Sequence, residues 1–156
     1  MILATALLLF LSAEKGPCED KGTALYVNAA RRGLWLCQGG APRGSMRVAL
    51  GRGGLEKRVQ GDAKVPLGEY SLSQAIPSKD FHLFLPVGYP TPQQRKAGYT
   101  GSAIGVHGPL RGFTGPSSTD QDWTLGCIAV GTDAEIERIA RWVRENAVTR
   151  ILIEAR

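Results

Sequence analysis

The sequence contains few of the residues that bind metal ions. It has two histidines and three cysteines among 156 residues, and they do not follow the Cys-x-x-Cys or His-x-x-x-His spacing of zinc sites. The glycine-rich segment 51–54 also lacks the Gly-Lys-Ser/Thr ending and the following helix pattern of a phosphate-binding loop. We therefore expect no metal, no nucleotide and no other cofactor.

Apolar runs long enough to cross a membrane are also missing. The main apolar run, residues 1–13, is shorter than the roughly 20 residues that a transmembrane helix needs. Its length and its small residues at the end are typical of a signal peptide cleaved near Ala13, although the positively charged segment ahead of it is missing. A buried N-terminal helix is the alternative. We expect an exported protein of the periplasm or cell envelope, with no membrane span in the mature chain.

Basic residues outnumber acidic ones, which gives a net charge of +5 and an isoelectric point of about 9.4. This charge favours an acidic polymeric partner. The lysines and arginines are dispersed and no known nucleic-acid-binding motif occurs, so we expect no nucleic-acid partner. A cell-envelope polymer with carboxylates fits better, while the oligomeric state stays open.

The distribution of turn residues predicts a single, mostly β domain. Short apolar runs alternate with 20 glycines and nine prolines, which favours strands and turns over long helices. Residues 51–64 are glycine-rich and charged, and we interpret them as a solvated loop. Apolar residues at helical spacing, behind an N-cap at Thr132 or Asp133, predict one main C-terminal helix over residues 134–146. The predicted strands cover residues 24–28, 34–37 and 46–50 in an antiparallel meander with a loop at 39–44, then residues 69–72, 81–85, 105–108 and 149–153.

Two apolar blocks carry the candidate chemistry. Residues 104–108, IGVHG, contain His107, and residues 122–130, DWTLGCIAV, contain Cys127. A thiol attacks as its thiolate, and a nearby imidazole is the usual base. Gly126 allows a tight turn that leaves N–H groups free for an oxyanion. The alternative is that Cys127 is a small core residue.

Three cysteines in an exported chain leave one without a disulfide partner. Cys18 and Cys37 flank a predicted hairpin and would pair in an oxidising compartment. This pairing leaves Cys127 free. The alternative, with Cys18 and Cys37 both reduced, stays open.

Several motifs in this order resemble the YkuD-type L,D-transpeptidases, whose catalytic histidine precedes a Ser/Thr-His-Gly-Cys signature. Here His107 and Gly108 precede residues 124–128, TLGCI. Residues 61–70, GDAKVPLGEY, are similar to the family's GD-x-[KR]-TP-x-G-x-[FY] segment, and residues 84–90, FLPVGYP, are similar to its strand ending in Tyr-Pro. The resemblance covers residues 23–153. Leu125 replaces the second histidine of the signature, so no role of that imidazole is carried over.

The resemblance implies a YkuD-like β-sandwich or barrel, with a catalytic domain over residues 23–156. It implies that His107 deprotonates Cys127, that the Gly108 carbonyl orients the imidazole, and that a peptidoglycan stem peptide forms a thioester with Cys127. An amine then attacks the thioester and forms a cross-link. The resemblance implies a role of this reaction in cell wall biogenesis and cell shape, and it implies that carbapenems acylate the thiol. The backbone N–H groups of Leu125, Gly126 and Cys127 are the expected oxyanion donors. Thr124, Trp123 and Arg111 are the further residues expected at the oxyanion or substrate.

Other functions stay open at this point. If water resolves the thioester, the same site is an L,D-carboxypeptidase or amidase. A thiol hydrolase exported into a competing or host cell is a further possibility. A non-catalytic cell-wall-binding module is the alternative outside enzymes, and the replacement of the second histidine by Leu125 supports it.

Overall fold

The computed structural model describes residues 14–156, so the predicted signal peptide at residues 1–13 lies outside the described residues. The described chain contains nine strands, two α-helices and one short 3₁₀ helix. None of these helices is long and apolar enough to cross a membrane. The elements are β1 (Ala24–Asn28), β2 (Gly33–Gln38), β3 (Ala41–Ala49), β4 (Gly68–Ser71), β5 (Ile76–Ser78), β6 (His82–Pro86), α1 (Pro92–Lys96), β7 (Gly105–His107), the 3₁₀ helix (Pro116–Thr119), β8 (Ile128–Val130), α2 (Asp133–Glu145) and β9 (Arg150–Glu154).

All nine strands join one curved sheet in the order β4-β9-β1-β2-β3-β8-β7-β6-β5. The predicted antiparallel meander of β1, β2 and β3 is confirmed, and β1/β9 and β7/β8 are the parallel pairs. Beyond β4, Leu72 bridges Val87, and the Gly88 N–H donates to the Ser71 carbonyl at 2.9 Å. These contacts bring β4 against the end of β6, so the sheet curls into a half-barrel. The mostly β fold with one main C-terminal helix is confirmed.

The hairpin between β2 and β3 differs from the prediction. Residues 39–44 were expected to form a loop, but β3 begins at Ala41 and not at Met46. Gly39 and Gly40 have φ of +57° and +80°, as the two central residues of a type I′ hairpin require. Two glycines therefore complete the turn, and the next residues are free to pair with β2. Pro42 is accommodated where the pairing between β2 and β3 is irregular. The short β5 and the 3₁₀ helix were not predicted.

Helix α2 begins with a capping box. The Thr132 hydroxyl accepts from the Glu135 N–H, and the Glu135 carboxylate accepts from the Thr132 N–H. Ile136, Ile139 and Val143 are fully buried in the core, and burying each such side chain contributes about 1.5–3 kcal/mol. Because this stripe packs against β6 and the end of β7, α2 supports the strand that carries His107.

The structure contains a disulfide between Cys18 and Cys37, with the two Cα atoms 5.3 Å apart. Both cysteines are fully buried, in a small cluster with Tyr26 that is separate from the main core. The disulfide ties the start of the described chain to β2. Cys127 is the free cysteine among residues 14–156.

Candidate active site

The strands that carry the predicted base and nucleophile are neighbours. His107 is the last residue of β7, and Cys127 immediately precedes β8. The two strands run parallel, with His107 opposite Ala129. Both His107 and Cys127 line one cleft of about 760 Å³. The fold therefore places a thiol and an imidazole on the same wall of one cavity.

The imidazole of His107 is held rigidly. It is 1% exposed, and its Nδ1 lies 2.7 Å from the Gly108 carbonyl, to which it donates. The Phe81 ring stacks on it with centroids 3.9 Å apart. Gly108 has no room for a side chain, since a Cβ would lie 2.5 Å from the Phe81 carbonyl. With the Nδ1 proton committed to a backbone acceptor, Nε2 is the nitrogen left to accept a proton.

Burial sets the protonation states of both groups. It lowers the pKa of His107 to about 4, against the opposing effect of the Gly108 hydrogen bond. It raises the pKa of the Cys127 thiol, while the Gly105 backbone and the positive charge of Lys57 act in the opposite direction. Near pH 7 the resting site therefore holds a neutral imidazole and a protonated thiol. Proton transfer has to accompany nucleophilic attack in such a pair.

The thiol has a backbone partner. Cys127 Sγ donates to the Ala103 carbonyl at 3.4 Å, and no hydrogen bond joins Sγ to His107 within residues 14–156. Ala103 belongs to the segment 101–104, which lines the cleft and leads into β7. The thiol must turn from Ala103 towards His107 before it can be deprotonated.

A tight turn over residues 124–127 presents Cys127 to the cleft. Gly126 has φ of +129°, and a Cβ there would lie 2.7 Å from the Lys64 carbonyl, so the position requires glycine. The buried Thr124 hydroxyl donates to the Cys127 carbonyl at 2.7 Å and accepts from the Gly126 N–H at 3.2 Å. Of the three predicted oxyanion donors, Gly126 is thus engaged by Thr124. Leu125 and Cys127 remain as candidate donors.

The other predicted site residues have different positions. Leu125 lines the cleft with 67% of its surface exposed. Trp123 also lines the cleft, 5.9 Å from the His107 ring, and its Nε1 donates to the Ser118 carbonyl at 3.1 Å. Arg111 is not among the residues that line the cleft, and its backbone N–H donates to the Asp80 carbonyl.

A buried ion pair beside the cleft was not predicted from the sequence. The supposed solvated loop contains Lys57, which is 4% exposed and lines the cleft. Its Nζ donates to Asp62 Oδ1 at 2.8 Å and to the Val59 carbonyl at 3.2 Å. Burial alone would raise the pKa of Asp62, but the hydrogen bond from Lys57 and those from three backbone N–H groups hold it well below its usual range. The lysine lies five positions before the aspartate, a spacing that carries no recognisable signal.

Within residues 14–156, no cluster of three or more histidine, cysteine, aspartate or glutamate side chains could hold a metal ion.

Comparisons with known proteins identify the family of the chain. The model of the YkuD L,D-transpeptidase catalytic domain matches residues 22–153. No curated protein matches the chain. The helical cell shape determining protein Pgp2 from Campylobacter jejuni is 22% identical with a TM-score of 0.68, and the match covers 85% of this chain and 47% of that one.

Two further solved structures share the fold. The catalytic domain of an L,D-transpeptidase from E. faecium is 13% identical with a TM-score of 0.54, over 88% of this chain and 99% of that one. L,D-transpeptidase 3 from Mycobacterium tuberculosis, solved with a faropenem-derived adduct, is 12% identical with a TM-score of 0.54, over 84% of this chain and 59% of that one. The chain thus spans less than half the length of Pgp2, and at these identities the likeness concerns the fold. The family model, which matches most of the chain, shows that the protein belongs to the YkuD family of L,D-transpeptidase catalytic domains.

Proposed function

We propose that the protein is an exported peptidoglycan L,D-transpeptidase with Cys127 as its nucleophile. The observation that carries the proposal is the shared cleft of His107 and Cys127, on adjacent parallel strands of a domain of this family. The imidazole is neutral near pH 7 because of its burial, as a general base must be.

The first half of the reaction acylates the thiol. Cys127 Sγ attacks the carbonyl of the diaminoacyl residue in a stem peptide while His107 Nε2 takes the thiol proton. The backbone N–H groups of Leu125 and Cys127 stabilise the oxyanion. The carbon–nitrogen bond then breaks, and the terminal D-alanine leaves as an amine with the proton from His107. The product is a thioester on Cys127.

The second half returns the enzyme to its starting state. An acceptor amine attacks the thioester carbonyl, and His107 removes its proton. The carbon–sulfur bond breaks and His107 returns the proton to Cys127, which leaves a new peptide cross-link. If water takes the place of the amine, the same steps make the protein an L,D-carboxypeptidase or amidase.

Export and a role in the cell wall are part of the proposal. The Cys18–Cys37 disulfide supports an oxidising compartment, and the apolar run at residues 1–13 supports a signal peptide. The net charge of +5 favours an anionic polymer such as peptidoglycan. The fold shared with a cell-shape-determining protein supports a role in cell shape.

Intact-mass spectrometry tests the mechanism. The purified protein is incubated with defined muropeptides beside the variants Cys127→Ala and His107→Ala. The control is His82→Asn, because His82 lies outside the cleft lining and contacts Glu137 at 2.7 Å. We expect an acyl adduct and a cross-linked or trimmed product from the wild type and from His82→Asn, and neither from the two cleft variants.

The product separates the possible reactions. A cross-linked product identifies the transpeptidase, and a trimmed peptide alone identifies the hydrolase. Absence of adduct and product with every tetrapeptide and pentapeptide donor would contradict the enzyme proposal and favour the wall-binding module.

A further inference from the structure

The charged side chains along the cleft are all of one sign. Among the described residues that line it, Arg52 and Lys57 carry charge and no aspartate or glutamate is present. The charge of Lys57 is already balanced by Asp62, 2.8 Å away. Arg52 therefore supplies the uncompensated positive charge of this cavity.

Several arginines of the described chain have no acidic partner, and Arg52 is the one among them that lines the cleft. Arg32, Arg47 and Arg150 each pair with a carboxylate. Within residues 14–156, no carboxylate lies in salt-bridge distance of the exposed Arg52 guanidinium. A cation that faces a cavity without a partner is available to an anionic group of a ligand.

The glycines around Arg52 fix its backbone close to the nucleophile. A Cβ at Gly51 would lie 2.3 Å from the Ala63 carbonyl, and one at Gly53 would lie 2.2 Å from the Asp62 carbonyl. The close packing is held by hydrogen bonds from the Gly53 N–H to the Ala63 carbonyl and from the Arg52 N–H to the Thr124 carbonyl, both 2.9 Å long.

Thr124 lies three residues before Cys127, so the glycine-rich segment 51–54 holds the Arg52 backbone next to the turn that carries the thiol, and both residues line the same cleft. The segment, which lacks the sequence of a phosphate-binding loop, thus positions Arg52 at the cleft.

We propose that Arg52 is a substrate-binding residue that pairs with a carboxylate of the acyl-donor peptide and positions that peptide against Cys127. The proposal rests on the proposed function, which supplies a peptide donor with several carboxylates. A guanidinium binds a carboxylate through two parallel hydrogen bonds, a geometry that fixes both position and orientation. Loss of such a charge-assisted contact raises a dissociation constant by about 10- to 100-fold.

Binding to a variant that cannot react tests the proposal without turnover. The protein carries Cys127→Ala, alone or with Arg52→Gln or Arg141→Gln. Arg141→Gln is the matched control, since it removes an exposed arginine that does not line the cleft. The probes are a synthetic stem tetrapeptide and its derivatives with each carboxylate amidated in turn, and calorimetry measures each dissociation constant. Thermal melting confirms that every variant is folded.

We expect one of the amidations to weaken binding by about 10- to 100-fold in the Cys127→Ala protein and in the Arg141→Gln control. In the Arg52→Gln protein the free acid should bind as weakly as that amide, so the difference between the two peptides should disappear. Arg52→Lys should restore part of it, because it keeps the charge and loses the bidentate geometry.

Three results would overturn the proposal: no effect of any amidation, an amidation effect that persists in Arg52→Gln, or no measurable binding of the tetrapeptide. The result is independent of the mass-spectrometric test. Arg52-dependent binding without an adduct on the wild type would leave this site in place and refute the enzyme. An adduct on the wild type, together with an unchanged amidation effect in Arg52→Gln, would support the enzyme and refute the role of Arg52.

Discussion

Replacement of Thr124 by valine should weaken both the fold and the nucleophile turn. Thr124 is 2% exposed. Its hydroxyl donates to the Cys127 carbonyl and accepts from the Gly126 N–H. Valine keeps the shape of the side chain but leaves both backbone groups without their partner. An unsatisfied buried polar group costs about 1–3 kcal/mol. Because the turn borders an open cleft where water can reach one of the groups, we expect a loss of about 2–4 kcal/mol.

For a chain of this size, that loss lowers the melting temperature by roughly 5–15 °C. The rate of acylation by a muropeptide or a carbapenem should fall by about tenfold or more, because the N–H groups around Cys127 lose their fixed direction. Calorimetry and time-resolved intact-mass spectrometry measure the two effects. Thr124→Ser, which keeps the hydroxyl, should retain most of the activity. A Thr124→Val protein that melts and acylates like the wild type would refute the role given to this hydroxyl.

Three other perturbations follow from the structure. Since burial lowers the pKa of His107 from 6.5 to about 4, the acylation rate should fall by half only near pH 4, and stability should decline as the pH drops from 6.5 towards 4 because the unfolded chain takes up the proton first. An NMR titration of the imidazole checks this, and a midpoint near 6.5 would contradict it. Lys57→Met leaves the Asp62 carboxylate buried and unpaired, so the protein should lose about 3–5 kcal/mol in chemical denaturation. Adding Asp62→Asn should recover part of the loss, and equal stabilities of the single and double variants would argue against a buried pair. Replacing both Cys18 and Cys37 by alanine removes a cross-link between residues separated by 19 positions, which should cost about 3 kcal/mol. Neither cysteine lines the cleft, so a loss of acylation at 25 °C in a folded double variant would be unexpected.

Local patterns in the sequence were sufficient for most of the fold. The stripe of Ile136, Ile139 and Val143 predicted α2 because helical spacing places these side chains on one face. Strands such as β1 were visible because β-branched and aromatic residues lie between turn residues. The length of the turn at Gly39 was predicted wrongly. Glycines and prolines occur at several positions of residues 39–44, and the sequence does not show which of them form the turn.

The pair of His107 and Cys127 was predicted from two motifs, and the motif order indicated the family. The residues that surround the pair could not be predicted from the sequence. Lys57 looked like an ordinary surface lysine because its burial depends on Asp62 and on the packing of Gly101 against its side chain. Arg52 lay in a glycine-rich segment whose shape depends on long-range contacts with Thr124. Such contacts depend on how distant parts of the chain pack together, and a single sequence does not show which residues meet.

The same burial that keeps His107 neutral near pH 7 also keeps the Cys127 thiol protonated. A raised thiol pKa lowers the fraction of thiolate at neutral pH, and thiol–disulfide exchange proceeds through the thiolate. We therefore expect slow exchange between Cys127 and the buried Cys18–Cys37 disulfide of its own chain. In the cleft the thiol hydrogen is engaged by the Ala103 carbonyl, so the reactive arrangement with His107 forms only when the thiol leaves that contact. In the proposed mechanism, the placement of a carbonyl electrophile against Sγ, and not the resting charge of the sulfur, therefore starts the reaction.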